Sequence, residues 1–139
     1  MSYFEENKPI IAASGSSFVI DYDTNVTAQY SEEVDVGMFN DFSMVITWTC
    51  TNAGSATLDV TILVEYYDIG TAAWYPSDGT DTYASVDVAD EGVLPIIPDS
   101  QAALPVGTKI RVVLTPTARA TVSTEEATFT VGFFGKGKI

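Results

Sequence analysis

A chain of 139 residues has the length of one ordinary domain, and with 46% hydrophobic against 18% charged residues it is too apolar to remain disordered. Its net charge of −13, with only six basic residues, excludes the basic footprint that nucleic acids require and disfavours adhesion to an anionic membrane. The absence of histidine removes the usual general base, every histidine-containing triad and the common zinc sites, and the single cysteine, Cys50, permits neither an intrachain disulfide nor a thiolate metal site.

The chain begins MSYFEENKPIIAAS, with weak periodicity that Pro9 and Gly15 interrupt. This stretch lacks a basic segment followed by an apolar one, so no secretory signal is expected. No apolar run reaches the ~20 residues of a membrane-spanning helix. The expectation for 1–17 is an extended arm, either loose or laid along a neighbouring subunit through Tyr3, Phe4, Ile10 and Ile11. A single β-sandwich domain is expected over 18–139. Short strands are predicted over 18–22, 26–30 and 34–36.

The clearest pattern lies in 43–67. Met44, Ile46, Trp48 and Cys50 alternate with Val45, Thr47, Thr49 and Thr51, and Leu58, Val60, Ile62, Val64 and Tyr66 alternate with more polar neighbours. Successive side chains in a strand point to opposite faces, so each run offers one apolar face and one threonine-rich face. Asn52-Ala53-Gly54-Ser55 tolerates turn dihedrals, and an antiparallel hairpin is predicted. Cys50 falls on the apolar face, where a thiol packs as a small hydrophobe.

Region 68–79 reads as turns around a short aromatic strand at Trp74 and Tyr75. A strand is predicted over 82–89. Pro95 demotes 93–97 to a sheet edge. The run 109–115 is a strong strand with Ile110, Val112 and Leu114 inward and Arg111 outward, and 127–134 is the last strand, before a basic, glycine-broken tail, GKGKI. No segment keeps the helical spacing of apolar residues over three turns. The fold expected is all-β: an antiparallel β-sandwich, jelly-roll-like, of about eight strands.

Chemistry-bearing patterns are few. Glu32-Glu33, Asp90-Glu91 and Glu125-Glu126 are sequence neighbours, which a strand points to opposite faces, so none supplies two carboxyls converging on one cleft. No enzyme and no cofactor is expected. Asp21, Asp23, Asn25 and Glu32 have the start and end of a calcium loop, but Val26 stands where such a loop needs glycine. A turn between strands is the plainer reading. Asp78, Asp81, Asp87 and Asp90 are a second, weaker calcium pattern, and Asn25-Val26-Thr27 is a glycosylation sequon that has no role without secretion. Trp74 and Tyr75 suit either a sugar-stacking platform or the closure of a sandwich edge.

Three segments, VDVGMFNDFSMVITW, ATLDVTILVEYYDIGTAAWYPSDG and LPVGTKIRVVLTPTARATVSTEEATFTVGF, give the chain a resemblance over 34–134. It resembles the small β-sandwich decoration proteins (cement, or head auxiliary, proteins) of tailed bacteriophages. There a strand ending in a bulky pair precedes a Trp-x-Pro-like turn with Asp-Gly, and a Leu-Pro-x-Gly turn leads into a strand carrying an arginine, here Arg111. The resemblance implies a non-catalytic virion structural protein, a homotrimer that binds the major capsid protein on the outside of the head and bridges capsomers after assembly in the host cytoplasm. Tyr3, Phe4, Ile10 and Ile11 would anchor the arm, and Lys136 and Lys138 would meet acidic shell surface. The alternatives are a receptor- or carbohydrate-binding module of a head or tail fibre, and a tail or neck subunit.

Overall fold

The computed structural model describes residues 3–15, 18–21, 27–39, 41–51, 59–76, 84–87, 92–96, 109–116 and 126–138. Eleven strands occur among them: β1 (Tyr3–Ile10), β2 (Phe18–Asp21), β3 (Gln29–Tyr30), β4 (Val34–Asp35), β5 (Asp41–Thr51), β6 (Asp59–Asp68), β7 (Ala73–Pro76), β8 (Ala84–Asp87), β9 (Gly92–Ile96), β10 (Lys109–Pro116) and β11 (Glu126–Lys138). They form two antiparallel sheets. In one, β1 and β2 lie end to end along β11, which pairs with β5, which pairs with β9. In the other, β3 and β4 lie along β10, which pairs with β6, and β6 carries β7 and β8 on its far edge.

Counting each end-to-end pair as one position, both sheets have four positions. Every connection between positions crosses from one sheet to the other, except that from β6 to β7. This is the jelly-roll arrangement, and it removes the hairpin predicted at 43–67. β5 and β6 lie in opposite sheets and face each other across the core. The alternation in each run is as predicted, with Phe42, Met44, Ile46 and Trp48 buried from one sheet and Val60, Ile62 and Val64 from the other. Alternation specifies which face is buried; it does not specify which strand lies alongside.

The core is completed by Ile110, Val112 and Leu114 of β10 and by Ala127, Phe129, Val131 and Phe133 of β11. Phe133 packs between Phe39 and Phe42, with ring centroids 5.3 and 6.0 Å away. Two glycines make room for rings. Trp48 lies where a side chain on Gly92 would stand, since a Cβ at that position would be only 2.2 Å from the indole, and Phe39 lies 2.6 Å from the corresponding point on Gly135. The β6–β7 turn is held by Asp68, whose carboxylate accepts from Gly70 N at 3.0 Å and Thr71 Oγ1 at 2.9 Å.

Both expected termini differ from the prediction. The arm is a strand: Tyr3↔Lys138 through Ile10↔Val131 are eight consecutive register pairs, so the GKGK stretch is also strand. Each sequence is a weak strand former alone, and each satisfies the other's backbone. Pro9 is tolerated because β1 is an edge strand, which leaves one side without ladder donors. Ile10 is buried in the chain's own core and is not available to a neighbouring subunit.

Between β1 and β2 the chain leaves its sheet and sews the sandwich shut along one side. Ala12 bridges Ser31, Ala13 N donates to Tyr30 O at 2.8 Å, and Glu32 N donates to Ile11 O at 2.9 Å. Opposite, Tyr30↔Val113 and Val34↔Ile110 leave the three residues 31–33 facing the two residues 111 and 112, which is a β-bulge. Ser31 repairs the ladder there. Its N–H donates to Val112 O at 2.9 Å, its Oγ accepts from Val112 N at 2.8 Å, and the same hydroxyl donates to Glu32 O at 2.7 Å.

Candidate functional site

The outer faces of the two sheets carry the chemistry available to a partner. On the five-stranded sheet, the alternate residues Ser43, Val45, Thr47 and Thr49 of β5 stand beside Phe134, Gly132, Thr130 and Thr128 of β11. One register row runs across the whole sheet as Pro9, Gly132, Val45 and Pro95. It is apolar at three positions and has no side chain at the fourth. Val45 and Phe134 remain 43% and 37% exposed, and Val93 stands in the next row, opposite Thr47. The missing side chain at Gly132 opens a groove of about 560 Å³ lined by Asn7, Pro9, Val45, Thr130 and Phe134. The Thr47 and Thr130 hydroxyls are hydrogen-bonded to each other at its border.

On the six-stranded sheet, Arg111 projects outward from β10. Its guanidinium carbon lies 4.6 Å from the Tyr30 ring centroid and 4.3 Å from that of Trp74, and its Nε donates to Glu65 Oε1 at 2.7 Å. Trp74 in turn tilts against Tyr67 at 5.2 Å. The pair is half-buried, with side-chain exposures of 24% for Arg111 and 15% for Glu65.

The residues singled out in the sequence are not brought together. Trp74 and Tyr75 are neighbours on β7, opposite Tyr67 and Tyr66, so they point to opposite faces and form no shared platform. Tyr75 donates from its hydroxyl to Thr71 Oγ1 at 3.2 Å, beside the turn. Tyr3 and Phe4 lie in β1 opposite Lys138 and Gly137, and Ile11 is exposed where the chain crosses between sheets. Lys136 stands outward between Glu5 of β1 and Asp41 of β5, so acidic groups of the same chain flank it. Lys138 ends β11. Of the calcium pattern, Asp21 ends β2 and the Glu32 carboxylate accepts from Ile11 N at 3.4 Å, whereas Asp23 and Asn25 lie outside the described residues. Among the described residues no group of three or more acidic or cysteine side chains is placed to hold a metal ion, and no helix is long and apolar enough to cross a membrane.

Sequence reading missed Tyr30, Tyr67, Val45, Gly132 and Phe134. Val45 carried a signal, as the one apolar residue on the threonine face of its run; the others depend on which strands become neighbours.

No protein-family model matches the chain, and no curated protein does. Among solved structures it is similar to a chain of infectious bursal disease virus, Gx strain, at 8% identity and a TM-score of 0.54, over 97% of this chain and 32% of that one. It is also similar to a family two carbohydrate esterase from Cellvibrio japonicus (9% identity, TM-score 0.49, 99% and 35%) and to the xylan-binding module CBM15 (8%, 0.44, 96% and 96%). The chain spans about a third of the length of the first two. At 8% identity the likeness to the virus chain is one of fold alone.

Proposed function

We propose that the protein is a structural subunit of a virion, a decoration protein that binds the outside of a tailed-phage head as a homotrimer and bridges its capsomers. The observation that carries this reading is the apolar row Pro9–Gly132–Val45–Pro95 with its open groove. Contiguous exposed apolar surface marks a place where another macromolecule is covered or covers. A notch bounded by a proline, a valine and a phenylalanine suits an inserted apolar side chain from a protein partner, the usual anchor of such contacts. Both edges of this sheet carry a proline, Pro9 on β1 and Pro95 on β9, which blunts strand-to-strand addition and leaves the face as the contact. The jelly-roll architecture, shared with a chain of a virus particle, is compatible with a shell role. The partner is the major capsid protein, at the capsid surface, with assembly in the host cytoplasm. β1 belongs to the sandwich, so Tyr3–Ile10 is not a free anchoring arm.

Sedimentation with purified heads tests this. Val45→Glu places a charge on the row without touching the core, so the variant is expected to fold as before and to lose head binding by about a hundredfold or more. Lys136→Glu is expected to weaken binding only modestly, since its charge is flanked by Glu5 and Asp41. Undiminished binding by the Val45 variant, or a wild-type chain that stays monomeric by light scattering and ignores heads, defeats the reading.

A further inference from the structure

The outer face of the six-stranded sheet carries a separate strip of side chains, independent of the groove on the other sheet. We propose that the outer face of the six-stranded sheet binds a neutral saccharide, with Tyr30, Tyr67 and Trp74 as the stacking surface and Arg111 and Glu65 as the hydrogen-bonding pair. Three properties of the strip select that ligand. The first is rigidity. The Arg111 guanidinium lies over the Tyr30 and Trp74 rings at 4.6 and 4.3 Å, Trp74 leans on Tyr67 at 5.2 Å, and Arg111 Nε donates to Glu65 Oε1 at 2.7 Å. Rings held in this way lose little conformational freedom when a ligand arrives, which lowers the cost of binding.

The second is access. Tyr30 is 44% exposed, and Trp74, Tyr67, Arg111 and Glu65 are each partly exposed, so every member of the strip keeps some solvent contact. The third is charge. Arg111 and Glu65 offset each other, in a chain of net charge −13, so the strip offers donors and acceptors without a field that would draw an anion. A ligand with a flat C–H surface and peripheral hydroxyls matches both halves: its C–H face meets the rings, and adjacent hydroxyls donate to the Glu65 carboxylate and accept from the Arg111 guanidinium. Nucleic acid and acidic saccharides fit the rings but not the charge.

Calorimetric titration of the full chain with cellohexaose, xylohexaose and mannohexaose, and with oligogalacturonate as the acidic comparison, decides it. Saturable binding of at least one neutral oligosaccharide, at a dissociation constant of about 1 mM or tighter, is expected. Trp74→Ala and Tyr30→Ala should each weaken it by about tenfold or more. Arg111→Lys, which keeps the charge but not the planar fork, should also weaken it. The Tyr30 change lies on an exposed edge position, so it remains informative if the Trp74 variant folds poorly. Val45→Glu, on the other sheet, should bind the saccharide as the wild type does whatever it does to head binding. No saturable heat with any neutral oligosaccharide up to about 10 mM, tighter binding of oligogalacturonate, or unchanged affinity in folded Tyr30→Ala and Arg111→Lys overturns the proposal.

Discussion

Ser31 shows how much a single small side chain does here. It is 2% exposed and stands where the bulge takes its own carbonyl out of register, so its hydroxyl serves as the acceptor for Val112 N. A buried N–H with no acceptor costs about 1–3 kcal/mol. Ser31→Ala is therefore expected to lower stability by that amount, read as a fall in the urea midpoint with an unchanged slope; Ser31→Thr, which keeps the hydroxyl, should lose less. Gly92 is the complementary case. A methyl there would collide with Trp48 at 2.2 Å, and the indole is held in place by Phe129 at 6.2 Å. Gly92→Ala is expected to destabilise the fold by about 1–3 kcal/mol through overpacking, although the same change at an unobstructed strand glycine such as Gly132 would be neutral or favourable. Thermal melts of the two alanine variants side by side check this contrast.

Among the strands, the two terminal ones depend most on each other. Tyr3–Ile10 reads as a tail because its own pattern is poor, with two glutamates, an asparagine and a proline among eight residues. It becomes a strand because β11 runs on through Lys138 and presents an unpaired ladder that only an edge strand can fill. Removal of residues 1–12 would take Ile10 and Ala12 out of the core and bare the edge of β11. The expected result is a loss of about 3 kcal/mol or more, with self-association of the shortened chain visible by light scattering. A detachable arm would instead leave the unfolding midpoint where it was. The broken edges follow one rule: β1 with β2, β3 with β4, and β7 with β8 each share a single long partner, so the long strands β11, β10 and β6 set the register and the short ones conform to it.

Across the molecule, charge dominates. The ion pairs of Lys8 with Glu6 and of Lys109 with Glu33 are well exposed, and that of Arg111 with Glu65 is half-buried. Exposed pairs contribute little, so repulsion among the many acids outweighs them at low salt. Raising ionic strength from about 10 to 150 mM shortens the screening length from about 30 to 8 Å and is expected to raise the melting temperature by a few degrees, equivalent to about 1 kcal/mol. A fall over the same range would mean that the ion pairs matter more than the excess charge. The two outer faces look in opposite directions, so the groove and the aromatic strip are available at once.

The class of fold and its inner surface are legible in the amino-acid order alone. Period-two alternation in 43–51, 58–66, 109–115 and 127–134 identifies the buried side chains, because each strand places alternate residues on opposite faces whatever lies beside it. The outward direction of Arg111 and the edge position of β9 follow in the same way, from parity and from Pro95. The pairing of strands is settled only in three dimensions. In a jelly roll most neighbours are distant in the chain, so β5 finds β11 and β9 rather than β6, and the row Pro9–Gly132–Val45–Pro95 is drawn from four strands that no local pattern connects. The same holds for the ring of Tyr30, the guanidinium of Arg111 and the indole of Trp74, which meet because β3, β10, β6 and β7 are laid side by side. Side-chain direction is a local property of the backbone; side-chain company is set by long-range hydrogen-bond register, and a surface site is made of company.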